Sequence, residues 1–294
     1  MANNNRQGVR RACLASLLGL AACAPSRPPR ELELRFGVER DYGPFVFRDT
    51  DGAVKGLSID ILNALLPAAR LRLSWSAPRP LAELLQWAEA GQIELLSSLR
   101  PTPERDSYLD FTAPYVEVPA VVVVRPGHGD GQLWRLNGRR VGVGRGYAIE
   151  AYVRRHYPGV HWQAYSEDSL SLQALMRHEV EAVVADLASV EHVRRRFKLP
   201  DQALRLVADL GYSYPLCFGF AKGRADVGER LERALEQLPR AQLRAILARW
   251  LPEQELGRVV VQPERERLRQ VGLGSLGLAA AGGLWNWRRR QGQA

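Results

Sequence analysis

From Leu32 to Trp250 the chain alternates between two hydrophobic periods, and this alternation restricts its fold more than any other feature. Leu32, Leu34, Phe36 and Val38 are spaced by polar or small residues, the two-residue period of a strand with one face in a core. Leu57 to Leu66 reads as a helix halted by Pro67, after a turn-rich hairpin over Asp49 to Gly56. A second strand (Leu71, Leu73, Trp75), a second helix (Leu81, Leu84, Leu85, Ala88) and a third strand at Leu95 follow. The pattern resumes with a strand after Arg139, a helix over Leu170, Leu172, Leu175 and Met176, a buried strand Ala182 to Asp186 and a helix Leu187 to Phe197. Two more strands are expected, Leu204 to Val207 and one with Leu216, Phe218 and Phe220 alternating. Two amphipathic helices close the series; Trp250, in the last, is expected in the core. Strands separated by helices form a parallel or mixed sheet, so the class is α/β. With 294 residues, 46% of them hydrophobic, the chain can bury one large core or two modest ones.

The most chemically pointed stretch is Leu95-Leu96-Ser97-Ser98-Leu99-Arg100-Pro101-Thr102-Pro103-Glu104-Arg105. A buried strand runs into a polar turn, where two prolines fix φ and aim Arg105. A planar guanidinium suits the two oxygens of a carboxylate. The competing reading pairs Arg105 with Glu104, Asp106 or Asp110 on a wet surface, where ion pairs are worth little.

Gly91 to Arg105, Asp110-Phe-Thr-Ala-Pro-Tyr115, Tyr42-Gly-Pro-Phe-Val-Phe and Asp51 to Leu62 together resemble the signatures of family-3 periplasmic solute-binding proteins, the polar amino-acid binders. The similarity runs from about Leu32 to Leu251. Gly146-Tyr-Ala-Ile-Glu-Ala-Tyr, Arg155-His-Tyr-Pro and Tyr212-Ser-Tyr-Pro-Leu resemble most the flytrap sensor domains of hybrid histidine kinases. The resemblance implies a two-lobed periplasmic-binding-protein fold of type II, a Venus flytrap hinged on two crossing strands. Lobe one would span 32–121 and return over 211–252, with lobe two over 122–210. The β-branched run from Val118 would be the first crossing and Asp209 to Tyr214 the second.

The same resemblance implies a division of labour in the cleft. Arg105 would clamp a carboxylate from lobe one, with Ser98 beside it, while Asp186 at a strand end takes an ammonium from lobe two. Asp186 reads equally as the N-cap of the helix that follows. Tyr42 would cover a ligand and Glu39 accept from its amine; as plain loop residues they would shield the core and sit in solvent. Three positions depart from the family's pattern. Arg100 stands where a small hydroxyl residue is usual, Tyr147-Ala148 replaces a small hydroxyl pair, and Pro80 sits near where an aromatic lines the cleft. Arg100 and Tyr147 then become candidate lining residues, and either the ligand is more acidic than a simple amino acid or the site has changed its job.

The formal charge of +9 invites a nucleic-acid reading, but much of it lies at the ends: Arg6, Arg10 and Arg11, and seven arginines against four glutamates in 253–294. No basic-aromatic motif accompanies it, so nucleic acid is not expected as a partner. Gly142-Val-Gly144 lacks the third glycine of a dinucleotide fingerprint, and no cofactor or metal is expected. The cysteines are Cys13, Cys23 and Cys217. Cys217 lies in an apolar run without an activating neighbour and reads as a small buried hydrophobe.

Residues 1–22 have the basic start and apolar middle of a signal peptide. Leu20-Ala21-Ala22-Cys23 resembles the bacterial lipoprotein box, with Cys23 the acylated residue; plain cleavage leaving Cys23 unmodified is the alternative. Residues 23–31 read as a tether, 253–270 as a charged spacer, 271–287 as a candidate transmembrane helix flanked by Trp285 and Trp287, and 288–294 as a basic tail. The expected protein is periplasmic and membrane-anchored, by the lipid, the C-terminal helix, or both. It would close on an amino acid or small carboxylate for ABC-type uptake through a permease, or for sensing through a kinase partner. The alternatives are a dehydratase-like enzyme on the same scaffold, using Glu39, Asp186 or His178, and a degenerate sensor that binds only protein.

Overall fold

In the computed structural model of the chain, residues 31–128 and 132–251 are described. The elements run β1 (Leu32–Gly37), β2 (Asp41–Tyr42), β3 (Val46–Arg48), β4 (Val54–Lys55), α1 (Leu57–Ala69), β5 (Leu71–Trp75), α2 (Leu81–Glu89), β6 (Leu95–Leu99), β7 (Leu109–Phe111) and β8 (Val116–Val124). They continue with β9 (Arg140–Gly144), α3 (Ala148–His156), β10 (His161–Tyr165), α4 (Asp168–Met176), β11 (Ala182–Asp186), α5 (Leu187–Arg196), β12 (Arg205–Ala221), α6 (Ala225–Gln237) and α7 (Arg240–Trp250). The main sheet has nine strands in the order β10-β9-β11-β8-β12-β6-β1-β5, with β7 joined to β12. β2, β3 and β4 make a small separate sheet.

The mixed sheet follows from the helical crossovers. β1 pairs in parallel with β5 and β6, and β9 with β10 and β11. Every antiparallel pairing in this sheet involves β8 or β12: β8 with β11, β12 with β6 and β7, and the two with each other. The last of these runs from Arg205↔Val124 to Leu216↔Val116, so one antiparallel ribbon carries the chain between the β5-β1-β6 half and the β10-β9-β11 half. This is the two-lobed arrangement with two crossing strands. β1 shows the expected alternation, with Leu34 and Phe36 fully buried and Glu33 and Arg35 exposed. Buried on both faces, β6 and β11 read as unbroken small or apolar runs instead.

Three expectations need correction. Pro67 does not end α1, which runs on to Ala69. A proline in the last turn removes only one amide bond, and Arg70, left-handed at φ 53°, closes the helix on the Leu66 and Pro67 carbonyls. The two strands expected over 204–220 are one 17-residue strand, bent where its register shifts between Asp209 and Ser213. Trp250 is half-buried rather than core: its Nε1 donates to Asp60 at 2.8 Å and its ring meets Phe47 edge-on. The leader, Cys23, the tether, the spacer and the 271–287 segment lie outside the described residues. Among the described residues no helix is long and apolar enough to cross a membrane.

Candidate solute site

Arg105 sits on a 3-10 turn, Arg105–Ser107, that follows β6. It is 4% exposed, so the surface ion-pair reading fails. Its Nη1 donates to the Arg100 carbonyl at 2.6 Å, which pins the guanidinium to its own loop. Its Nη2 donates to the Gly146 carbonyl at 2.7 Å, in the turn after β9 on the other half of the sheet. Burial lowers the Arg105 pKa, while Tyr108, Glu39, Tyr212 and Glu104 favour its charge.

Ahead of the Arg105 turn, a serine-tyrosine knot holds the end of β6. Ser98 has φ 61°, a left-handed conformation costly for a residue with a side chain. Its N–H donates to the Tyr115 hydroxyl at 2.8 Å, and both the Tyr115 and Ser98 hydroxyls donate to Ser58 Oγ, at 2.7 and 2.9 Å. Ser58 lies in the first turn of α1, so the strand end is fixed to a helix on the same half.

Glu39, just past β1, is 3% exposed and accepts a hydrogen bond from the Tyr147 hydroxyl. Its other oxygen, Oε2, is buried with no partner among the described residues. Burial pushes the Glu39 pKa up to about 8 against the opposing pull of Tyr147 and Arg105, so the group is largely neutral at pH 7. Tyr42 is 1% exposed and packs against Phe45 and Tyr147, with ring centroids 4.9 and 5.0 Å apart. It is therefore an internal packing residue rather than an exposed cover.

Asp186 caps α5: its Oδ1 accepts from the Ser189 N–H at 2.8 Å and its Oδ2 from the Ser189 hydroxyl at 2.7 Å. It is fully buried, and burial raises its pKa to about 6, with Ser189 opposing. Next to it lies Asp168, buried at the start of α4, whose pKa burial and the charges of Asp186 and Glu39 push well above the carboxylate range. Sequence reasoning missed Asp168, because Glu167-Asp168 before an apolar helix reads as an ordinary helix start. Arg100 stacks its guanidinium on Tyr212, 3.9 Å from the ring centroid. His178 is exposed on a turn at φ 63° and takes no part in this cluster.

The two halves are tied by further contacts. Arg40 Nε donates to Glu167 at 2.9 Å, Ser169 Oγ to Asp41 at 2.7 Å, and Arg196 to the other Asp41 oxygen at 2.7 Å. His192 of α5 packs on Gly43 and lies 4.6 Å from the Phe47 ring. An open pocket of about 230 Å³ lies at this rim, lined by Arg40, Asp41, Glu167 and Arg196 among others. Neither it nor the pocket beside Trp75 is lined by Arg105, Glu39, Tyr147 or Asp186.

A two-lobed body hinged on paired crossing strands, with buried charge where its halves meet, defines a solute-binding protein. Residues 34–253 match the bacterial extracellular solute-binding proteins, family 3, and the chain belongs to that family. It is 29% identical to the L-arginine-binding protein of Pseudomonas aeruginosa over 68% of this chain and 73% of that one. It is 23% identical to the virulence sensor protein BvgS of Bordetella pertussis over 84% of this chain, which spans only 21% of that much longer relative. Among solved structures it is similar to an ancestral arginine-binding protein bound to glutamine, with TM-score 0.68 and 26% identity over 75% of this chain and 98% of that one.

Proposed function

We propose that the protein is an exported receptor that closes on an amino acid and presents its closed form to a membrane partner. The observation that carries this reading is the buried, loop-pinned guanidinium of Arg105 facing the opposite half of the molecule. In this reading Arg105 takes the solute's carboxylate, with Ser98 holding the strand end ahead of it. The carboxyl groups of Glu39, Asp168 and Asp186 supply acceptors for its ammonium or side-chain donors. Tyr42, Arg100 and Tyr147 form the walls. Charge-assisted hydrogen bonds of this kind contribute about 1.5–3 kcal/mol each, and the solute favours closure because it touches both halves only when they meet.

The buried carboxyl groups of Glu39, Asp168 and Asp186 favour a zwitterionic or cationic amino acid over the more acidic ligand that Arg100 suggested, since Arg100 is engaged with Tyr212. The arginine-binding relative points the same way. The likeness to a sensor protein over most of this chain favours signalling as the output, with uptake through a permease as the second reading. A periplasmic location, acylation of Cys23 and a span over 271–287 belong to this proposal. So does a purely binding role, which the arginine- and cystine-binding relatives support.

The test is a thermal-shift titration with L-arginine, L-lysine, L-glutamine, L-cystine and small dicarboxylates, with product analysis. A saturable shift without product supports binding. Turnover would point to a dehydratase-like enzyme, and no shift across the panel to a sensor that binds only protein.

A further inference from the structure

Two adjacent residues of the β9–α3 turn meet the groups that an amino acid would meet. The Gly146 carbonyl accepts from Arg105, and the Tyr147 hydroxyl donates to Glu39. One is an acceptor where a solute's carboxylate would sit, the other a donor where an amine or guanidinium would point. Both contacts cross from one half of the sheet to the other.

The turn is shaped for this approach. Gly146 has φ +80°, and a Cβ there would come within 3.2 Å of the backbone of Ala82 at the start of α2. A side chain at this position would be strained in φ and would crowd Ala82. Gly144 serves the neighbouring residue, because a Cβ on it would collide with the Tyr147 ring. Tyr147 itself is 5% exposed and lies against Tyr42, so its phenol is an internal group and not a surface flap. Glu39, with one oxygen on Tyr147 and the other unpartnered, has its donor supplied by the chain.

We propose that Gly146-Tyr147 is a tethered occupant of the solute site, holding the two halves closed without solute and competing with any solute that enters. This inference rests on the amino-acid reading for the identity of the competitor, but not for the closure itself. A backbone carbonyl is a neutral acceptor, and a carboxylate forms the stronger, charge-assisted bond to Arg105. Solute therefore displaces the tether, at an apparent affinity reduced by the fraction of molecules in which the tether is already seated. Closure by default makes solute a modulator of a standing signal rather than its trigger.

Burial of Glu39 in neutral form agrees with a phenol partner, since an ionised carboxylate at that depth demands a cation.

The test uses the full chain and two variants. Tyr147→Ser removes the phenol half of the occupant; Tyr147→Phe keeps the ring and removes the bond to Glu39. Small-angle scattering reads closure, and calorimetry with L-arginine and L-glutamine reads binding. The expected result is a parent protein as compact without solute as with it, a Tyr147→Ser variant that is expanded alone and contracts on solute, and an affinity gain of about tenfold or more. Tyr147→Phe is expected between the two, and its retained ring guards against a packing defect, which a thermal melt would reveal. A Tyr147→Ser variant as compact as the parent in the absence of solute overturns the proposal, as does a parent that contracts on solute like its variant. Should Tyr147→Ser expand yet bind neither amino acid, the tether stands and the amino-acid reading falls.

Discussion

Arg105 and Gly146 are 41 residues apart, and the hydrogen bond between the Arg105 guanidinium and the Gly146 carbonyl, 2.7 Å long, joins the two halves of the protein at its buried centre. The same guanidinium is fixed on its other side by Arg100. One side chain therefore serves as both the anchor of its own loop and the contact across the cleft.

Replacing Arg105 should separate these roles. Arg105→Ala is expected to abolish the amino-acid thermal shift, a loss of about 1.5–3 kcal/mol or more in binding. Arg105→Lys should recover little of it, because one ammonium cannot reproduce two directed donors. Calorimetry on both variants checks this; an Arg105→Lys variant that binds like the parent would remove the argument for a planar fork.

Glu39 makes stability depend on pH. Its pKa is about 8 in the folded protein against an ordinary 4.5, so the folded state holds a proton that the unfolded chain releases between those values. Its contribution is fully present below pH 4.5 and is lost as pH rises to about 8. Glu39→Gln is expected to flatten the fall in Tm over this window and to be the more stable protein at pH 8, by on the order of a few kcal/mol. Melts of both proteins from pH 4.5 to 8.5 measure the difference.

His192 acts with the opposite sign. Burial lowers its pKa to about 4 from 6.5, so its contribution is complete above pH 6.5 and is lost as pH falls to about 4. Its ring fills the space above Gly43, and Gly43→Ala forces a methyl group into it, at a cost of about 1–3 kcal/mol. The double substitution Gly43→Ala with His192→Ala should cost less than the sum of the two, which a mutant cycle by denaturant titration reads directly.

The Tyr115 hydroxyl holds Ser98 in its left-handed conformation and bonds to Ser58. Tyr115→Phe leaves the Ser98 N–H buried without this acceptor and is expected to destabilise by about 1–3 kcal/mol. Solute affinity should fall with it, because Arg105 follows the same strand end. A Tm unchanged within error would show that the knot is dispensable.

Asp186 can be tested as cap and as acceptor at once. Asparagine caps a helix about as well as aspartate, so Asp186→Asn should leave Tm nearly unchanged, whereas Asp186→Ala should cost about 0.5–2 kcal/mol. If the charge also serves the solute, both variants lose affinity. If Asp186 is only a cap, Asp186→Asn binds as the parent does.

The α/β class, the two-lobed fold, the family and most of the strands and helices were legible in the sequence, because each rests on local spacing or contiguous motifs; the short β7 and the edge strand β10 were not. The alternation in β1, the buried run of β6 and the prolines before Arg105 report their burial and direction within a few residues. The three corrections show where such reasoning stops: Pro67 ends a helix only if the lost amide bond matters, and at the last turn it does not. Whether two short apolar runs form one bent strand depends on the partner beside them, here β8.

Only the tertiary structure decided what the site residues face. Arg105 was legible as a directed cation, but its contact with Gly146 joins segments far apart in the chain, and no local period encodes that distance. Tyr147 stood out in sequence as a departure from the family's pattern; that its hydroxyl meets Glu39 follows from the closed approach of two sheet halves. Burial of a charge is likewise a property of everything packed around it. Asp168 looks like an ordinary helix-start acid in sequence and Glu39 like a loop carboxylate open to a ligand amine; burial in the folded chain raises the pKa of both.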